Sequence, residues 1–152
     1  MTEHDTIRIV PVTGANREVV ARDALKQAER VHRQLRPALP ADYAAKMEAV
    51  FRDGGQMCVA MRDGQVAGVA VFRVFENTYA GWRFYVDDLV IDELHRSAGI
   101  GAALLSHLEQ EARRRGCGVI ELESGAHRAG AHRFYFREGF SITGFSFRKE
   151  LK

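Results

Sequence analysis

Leu89-Val90-Ile91 followed by Arg96-Ser97-Ala98-Gly99-Ile100-Gly101-Ala102 decides the fold, because a β-rich run there gives way to a glycine-bearing turn and then a helix. Ile100, Leu104, Leu108 and Ala112 recur four apart, Ala103 and Leu105 widen the stripe, and Glu109 faces Arg113 one turn away, so Gly99 to Arg115 is predicted helical with Gly116 ending it. Gly99 and Gly101 leave their backbone amides accessible at the positive end of that helix, and Arg96 adds a cation. Such a turn can cradle a pyrophosphate. Glycine also caps and turns chains for purely structural reasons, so the context has to carry the assignment. A dinucleotide-binding GxGxxG loop fits poorly, since Leu104 stands where a third small residue is needed and the motif follows several strands instead of opening a βαβ unit. A GxxxxGK[ST] loop is absent.

Upstream of this stretch, Ile7 to Val12 reads as a short strand ending at Thr13-Gly14. From Asn16, taken as an N-cap, Val20, Ala24, Ala28, Val31 and Leu35 mark one helix face, which Pro37 and Pro40 terminate. A second helix is predicted over Asp42 to Arg52, closed by Asp53-Gly54-Gly55. Met57 to Met61 and Val66 to Phe75 flank Arg62-Asp63-Gly64-Gln65, where Asp-Gly marks a two-residue hairpin turn. After a polar loop, Glu76 to Gly81, a fourth strand spans Trp82 to Ile91 and carries Asp87 and Asp88, which simple alternation places on opposite faces. Downstream, Val119 to Leu122 is a strand, Ala129 to Arg137 a short helix, and Phe145 to Leu151 a final alternating strand. The expected order is β-α-α-β-β-β-α-β-α-β, an α/β fold with a mixed, mainly antiparallel sheet and helices on both faces.

With 152 residues and no linker, residues 1–152 are expected to form one domain. The 22 basic and 20 acidic residues are scattered, leaving a formal charge of +2 and no basic block to track a nucleic-acid backbone. Cys58 and Cys117 lie in apolar stretches without metal-ligand spacing, which predicts buried free thiols and no zinc site. Met1 to Asp5 lacks the pattern of a signal sequence, and the longest apolar run, Val66 to Phe72, is too short to span a bilayer. The expectation is a cytoplasmic protein, with neither nucleic acid nor membrane as a partner and a homodimer left open.

The three segments Leu89-Val90-Ile91, Arg96-x-x-Gly99-x-Gly101-Ala102 and Arg133-Phe134-Tyr135-Phe136-Arg137-Glu138-Gly139-Phe140 together resemble the GNAT superfamily of N-acetyltransferases, and the element order agrees. The resemblance implies acetyl-CoA as cosubstrate. It implies that Leu89, Val90 and Ile91 hold the pantetheine arm by backbone hydrogen bonds, that Arg96, Ser97, Ala98, Gly99, Ile100, Gly101 and Ala102 hold the pyrophosphate, and that Tyr135 lies near the sulfur. Residue 97 is more usually Gly in this family, and its common carboxylate earlier on the fourth strand corresponds to Arg83. The stretch from Glu121 through Arg128 and His132 to Phe147 is similar to aminoalkylphosphonate and other small-amine acetyltransferases.

The chemistry follows from pKa values. An alkylamine near 10.4 is mostly protonated at pH 7, so a base or water relay is expected, and the departing thiolate needs a proton that a phenol can give. Tyr135 takes the second role through the resemblance, against the plain alternative of an aromatic packing residue. Asp87, Asp88 and Glu123 are the candidate bases, each equally compatible with an ion pair at a solvated edge, and His127 and His132 read as surface residues. Without a GxSxG elbow or a Cys/His pair, direct transfer to a small-molecule primary amine is preferred over an acyl-enzyme. Acetylation of a protein amine, or a non-catalytic acyl-CoA-binding sensor of the same fold, are the competing readings.

Overall fold

The computed structural model describes residues 6–152, so the reading of Met1 to Asp5 lies outside the described residues. They form two compact units, one ending at Glu121 and the other spanning Leu122–Lys152. In chain order the elements are β1 (Arg8–Pro11), α1 (Arg22–Leu35), α2 (Tyr43–Arg52), β2 (Gln56–Arg62), β3 (Gln65–Asn77), β4 (Gly81–Ile91), α3 (Ile100–Arg114), β5 (Val119–Leu122) and α4 (Ala129–Arg137). The sheet runs β1-β2-β3-β4-β5, and the first four strands are successively antiparallel.

The β2–β3 hairpin turns where Asp-Gly predicts it. Arg62 pairs with Gln65, and Asp63 and Gly64 both have positive φ, 53° and 73°, as a twist-compatible two-residue turn requires. Alternation then sorts the strand side chains. Met57, Val59, Val69, Val71 and Val90 pack with Leu25, Ala28 and Val31 of α1 and Tyr43, Met47 and Phe51 of α2. On the other face Gly68 meets α3, where an added Cβ would fall 2.8 Å from Leu104 Cδ1 and 3.0 Å from Ile100 Cγ2. That glycine lets the first turn of α3 sit directly on β3. Phe72 and Phe84 stack at 4.6 Å on the same side. The sheet is therefore covered on both faces, with α1 and α2 on one and α3 on the other.

Three sequence expectations are corrected. Asn16 does not cap α1: Gly14 N donates to Glu18 O, and Val20 N to Val12 O, so the chain folds back along β1 and the helix begins only at Arg22. Backbone pairing there outweighs the helical periodicity. The polar connection Glu76 to Gly81 is half strand, because Asn77 Oδ1 accepts from Tyr79 N and Ala80 N and tightens the turn to three residues. Phe145 to Leu151 is not a strand: residues 141–152 have no regular secondary structure and are exposed, so alternation there has no ladder to join. Cys58 is buried, which pushes its thiol up to about 12, whereas Cys117 is half-buried; both are free thiols. No helix among the described residues is long and apolar enough to cross a membrane.

Candidate active site

β4 shapes the site by a bulge. Asp88 pairs with Val71 but the next β3 residue, Phe72, pairs with Val86, which leaves Asp87 as an extra residue. The bulge cancels one step of alternation, so Asp87 and Asp88 open on the same side of the sheet. The expected opposite-face arrangement is thereby corrected. Both acids line a cavity of about 660 Å³ together with His32 of α1, Arg36 just beyond it, the Pro37–Pro40 connection, Lys46 of α2, and Arg73 of β3. Glu76 to Gly81 form the far end of the β3–β4 hairpin and do not line it.

Both acids are held. Asp87 Oδ2 accepts from Arg73 Nε at 2.7 Å. Asp88 Oδ1 accepts from Arg36 Nε at 2.8 Å, and its Oδ2 lies 2.7 Å from His32 Nε2. On the other side of the same ring, Nδ1 lies 2.8 Å from the Tyr43 hydroxyl. A neutral ring satisfies both contacts when Tyr43 donates to Nδ1 and Nε2–H donates to Asp88. Burial, the largest influence, raises the Tyr43 pKa and keeps it a donor. Burial also works against ionisation of Asp88, but the hydrogen bonds from His32 and Arg36 outweigh it and the carboxyl stays below its ordinary value. The acid pair thus presents fixed negative charge, framed by guanidinium groups.

Residue 83, where the resemblance places a carboxylate, is a cation paired with one. Arg83 Nε donates to Glu121 Oε1 at 2.9 Å and the guanidinium lies over the Tyr85 ring at 4.6 Å and the Phe75 ring at 5.4 Å. The carboxylate at this part of the sheet comes from β5.

The β4–α3 connection is fastened to α1 by Asp92. Its carboxylate, wholly buried, accepts from Arg30 Nη2 at 2.6 Å, Gln34 Nε2 at 3.1 Å and Leu94 N at 3.2 Å, and Glu93 N donates to Gln34 Oε1 at 3.0 Å. The Arg30 hydrogen bond is the main cause that holds this carboxyl down to about 2. Beyond it Ser97 and Gly99 both take positive φ, 65° and 81°. For Ser this costs about 1–2 kcal/mol relative to glycine, the physical reason that glycine suits residue 97. Among the described residues, none of the amides of 97–102 donates to a protein acceptor; the first helical bond is Ala103 N to Gly99 O. Arg96 is exposed and, among the described residues, without an ion pair. These donors suit a pyrophosphate. Leu89 and Val90 are buried and Ile91 half-buried, and all three pair with β3. Gly118 N donates to Trp82 O at the start of β4, so the four-residue β5 leaves the Leu89–Ile91 edge without a partner strand on that side among the described residues.

The second unit carries the remaining residues. Tyr135 lies in α4, its ring 5.7 Å from Phe140 and 5.4 Å from Phe134, and burial raises its pKa against a smaller opposing effect of Arg128. Glu123 and His127 are exposed, and His132 Nε2 lies 2.9 Å from Gly125 O.

Sequence reasoning missed His32, Arg36, Tyr43 as a polar partner, Arg73, and the Arg30–Gln34–Asp92 cluster. His32 had a signal, being four residues from Ala28 on the buried face of α1. The other partners did not, since they lie 11 to 62 residues from the groups they touch and appear in the sequence as ordinary polar or aromatic positions.

A mostly antiparallel sheet with a β4 bulge, an unpaired Leu89–Ile91 edge and a donor-rich turn at the N-terminus of α3 suits the binding of an acyl-CoA. The chain belongs to the acetyltransferase (GNAT) family, whose model matches residues 21–140. Acetyl-CoA is the cosubstrate of that family. The chain is 37% identical over 94 residues to an aminoalkylphosphonate N-acetyltransferase of Salmonella typhimurium, a match covering 61% of each protein. Its fold superposes on a solved aminoglycoside N-acetyltransferase, AAC(6′)-Iy, in complex with CoA, with a TM-score of 0.82 at 16% identity over 97% of this chain and 95% of that one. A Bacillus halodurans protein described as a transcriptional regulator gives 0.79 at 22% identity, over 96% of this chain and 100% of the other.

Proposed function

We propose that residues 1–152 form one N-acetyltransferase domain that moves acetyl directly from acetyl-CoA to a small primary amine. The observation that carries this reading is the β4 bulge, which sets Asp87 and Asp88 side by side on one cavity wall. An acceptor arrives mostly as ammonium, and two fixed carboxylates attract and orient it. Because the Asp88 pKa is lowered, it serves better as an electrostatic anchor than as a proton sink, so the proton leaves through water beside the acid pair or through Glu123. The neutral nitrogen attacks the acetyl carbon, the C–S bond breaks, and the thiolate takes the hydroxyl proton of Tyr135. Arg96 and the amides of residues 97–102 hold the pyrophosphate, and the free edge of Leu89–Ile91 holds the pantetheine arm.

The same cavity also offers Arg36, Arg73 and Lys46. An acceptor with an amine at one end and an acidic group at the other meets opposite charges a few ångströms apart, and the similarity to an aminoalkylphosphonate acetyltransferase supports such a substrate. These cations stand just beyond α1, on β3 and on α2.

The test is free-thiol release from acetyl-CoA across aminophosphonates, amino acids, aminoglycosides, polyamines and peptides, with Asp87→Asn and Asp88→Asn assayed alongside. A small amine should be accepted, and each variant should lower kcat/KM at least about tenfold, or roughly 1.4 kcal/mol. A peptide amine used efficiently with no small amine at comparable kcat/KM overturns the acceptor class. Binding of acetyl-CoA without thiol release on any amine favours the sensor reading.

A further inference from the structure

His32 is buried on the face of α1 that also buries Leu25, Ala28 and Val31. An imidazole in that setting needs a partner for each ring nitrogen, because a buried polar atom left unpaired has lost its water for nothing. Both nitrogens have one: Nδ1 lies 2.8 Å from the Tyr43 hydroxyl of α2 and Nε2 lies 2.7 Å from Asp88 Oδ2 of β4. The two rings meet edge to face at 87°, so Tyr43 also fixes the plane in which the imidazole lies. Counting protons decides which nitrogen donates. Among the described residues the Tyr43 hydroxyl has no other hydrogen-bond partner, so its proton finds an acceptor only if Nδ1 carries a lone pair. The ring proton is then on Nε2 and points at the carboxylate.

We propose that His32 is a positioning residue for acetyl transfer: as a neutral ring it donates Nε2–H to Asp88 and holds that carboxylate, with its charge intact, toward the ammonium group of the acceptor. The proposal rests on the reading of Asp87 and Asp88 as the amine anchor. Arg36, which also donates to Asp88, has a side chain 53% exposed and open to competition from water, whereas the His32 side chain is 2% exposed and cannot swing away. The bond from His32 is therefore the one that fixes the carboxylate. A neutral donor orients it without adding charge. An imidazolium would set a second cation against Asp88 beside Arg36 and weaken its pull on an ammonium. So little of the ring is exposed that it acts on the acceptor through Asp88.

Nitrogen-15 NMR of the ring, at pH 7 and without any amine, should show the neutral Nε2–H tautomer; an imidazolium or the Nδ1–H form overturns the proposal. Substitution separates the two bonds, because a glutamine amide nitrogen reaches the place of Nε2 and an asparagine amide only that of Nδ1. His32→Gln keeps a donor to Asp88, while His32→Asn keeps an acceptor for Tyr43 and loses that donor. With 2-aminoethylphosphonate as the probe amine, His32→Asn should raise KM for the amine about tenfold, leaving kcat and KM for acetyl-CoA within about twofold. His32→Gln should stay within about threefold of wild type in all three. Added to Asp88→Asn, His32→Asn should cause no further loss, since both remove the same anchor. Equal impairment by glutamine and asparagine, or full additivity with Asp88→Asn, marks a merely structural histidine and overturns the proposal. Asp88→Asn with unchanged KM for the amine overturns the anchor reading and this proposal together. An impaired Asp88→Asn beside an unimpaired His32→Asn overturns the role of His32 alone.

Discussion

Asp92→Asn removes one charge from the joint between α1 and the turn that precedes α3, and the structure sets the size of the effect. The folded carboxyl lies near 2 against an ordinary 3.8, a gap worth about 2.4 kcal/mol at 1.36 kcal/mol per unit. Arg30 is 56% exposed, so solvent screens its share. A loss of about 1–2 kcal/mol is expected at pH 7, or roughly 2–8 °C in Tm for a chain of this size. Asparagine still accepts from Leu94 N, but its amide faces the Arg30 donor. Because the folded pKa is depressed, the contribution is fully present above the ordinary value and disappears as pH falls through 3.8 toward 2, with roughly half remaining at pH 3. Urea unfolding of both proteins at pH 7, 4 and 3 measures this directly, and the difference between them should shrink with acidity. A difference that stays constant from pH 7 to 3, or that is under about 0.3 kcal/mol at pH 7, refutes the reasoning. The same change loosens the approach to Arg96–Ala102, so KM for acetyl-CoA should rise while kcat at saturating cosubstrate holds.

Gly101→Val places a branched side chain among the amides at the start of α3, and calorimetric titration should show acetyl-CoA affinity at least about tenfold weaker, near 1.4 kcal/mol; an unchanged affinity removes the pyrophosphate assignment. Tyr135→Phe preserves most of the ring packing but deletes the proton, so kcat should fall by about 10² to 10⁴ with little change in cosubstrate affinity. Normal turnover would return Tyr135 to a packing role beside Phe134 and Phe140.

The sequence by itself determined the parts of this protein that rest on neighbouring residues. Asp63-Gly64 specified its hairpin because both positions need positive φ. Asp42 specified the start of α2, where its side chain accepts from Ala45 N. The four-residue spacing of Ile100, Leu104, Leu108 and Ala112 specified α3, and the glycine turn before it marked where a phosphate-binding loop would lie. Tertiary structure decided what depends on register between distant segments. No local pattern announces that Asp87 is the extra residue of a bulge, since that follows only from how β4 aligns with Phe72 and Val71, and this one-residue slip turns two acids expected on opposite faces into one wall of a cavity. Nor does the chain show that His32 bridges Tyr43 and Asp88 or that Asp92 sits among Arg30 and Gln34, because those partners are brought together only when α1 lies across the sheet. Alternation in residues 145–151 predicts a strand that the structure does not form, because a strand requires an edge to pair with as well as a sequence.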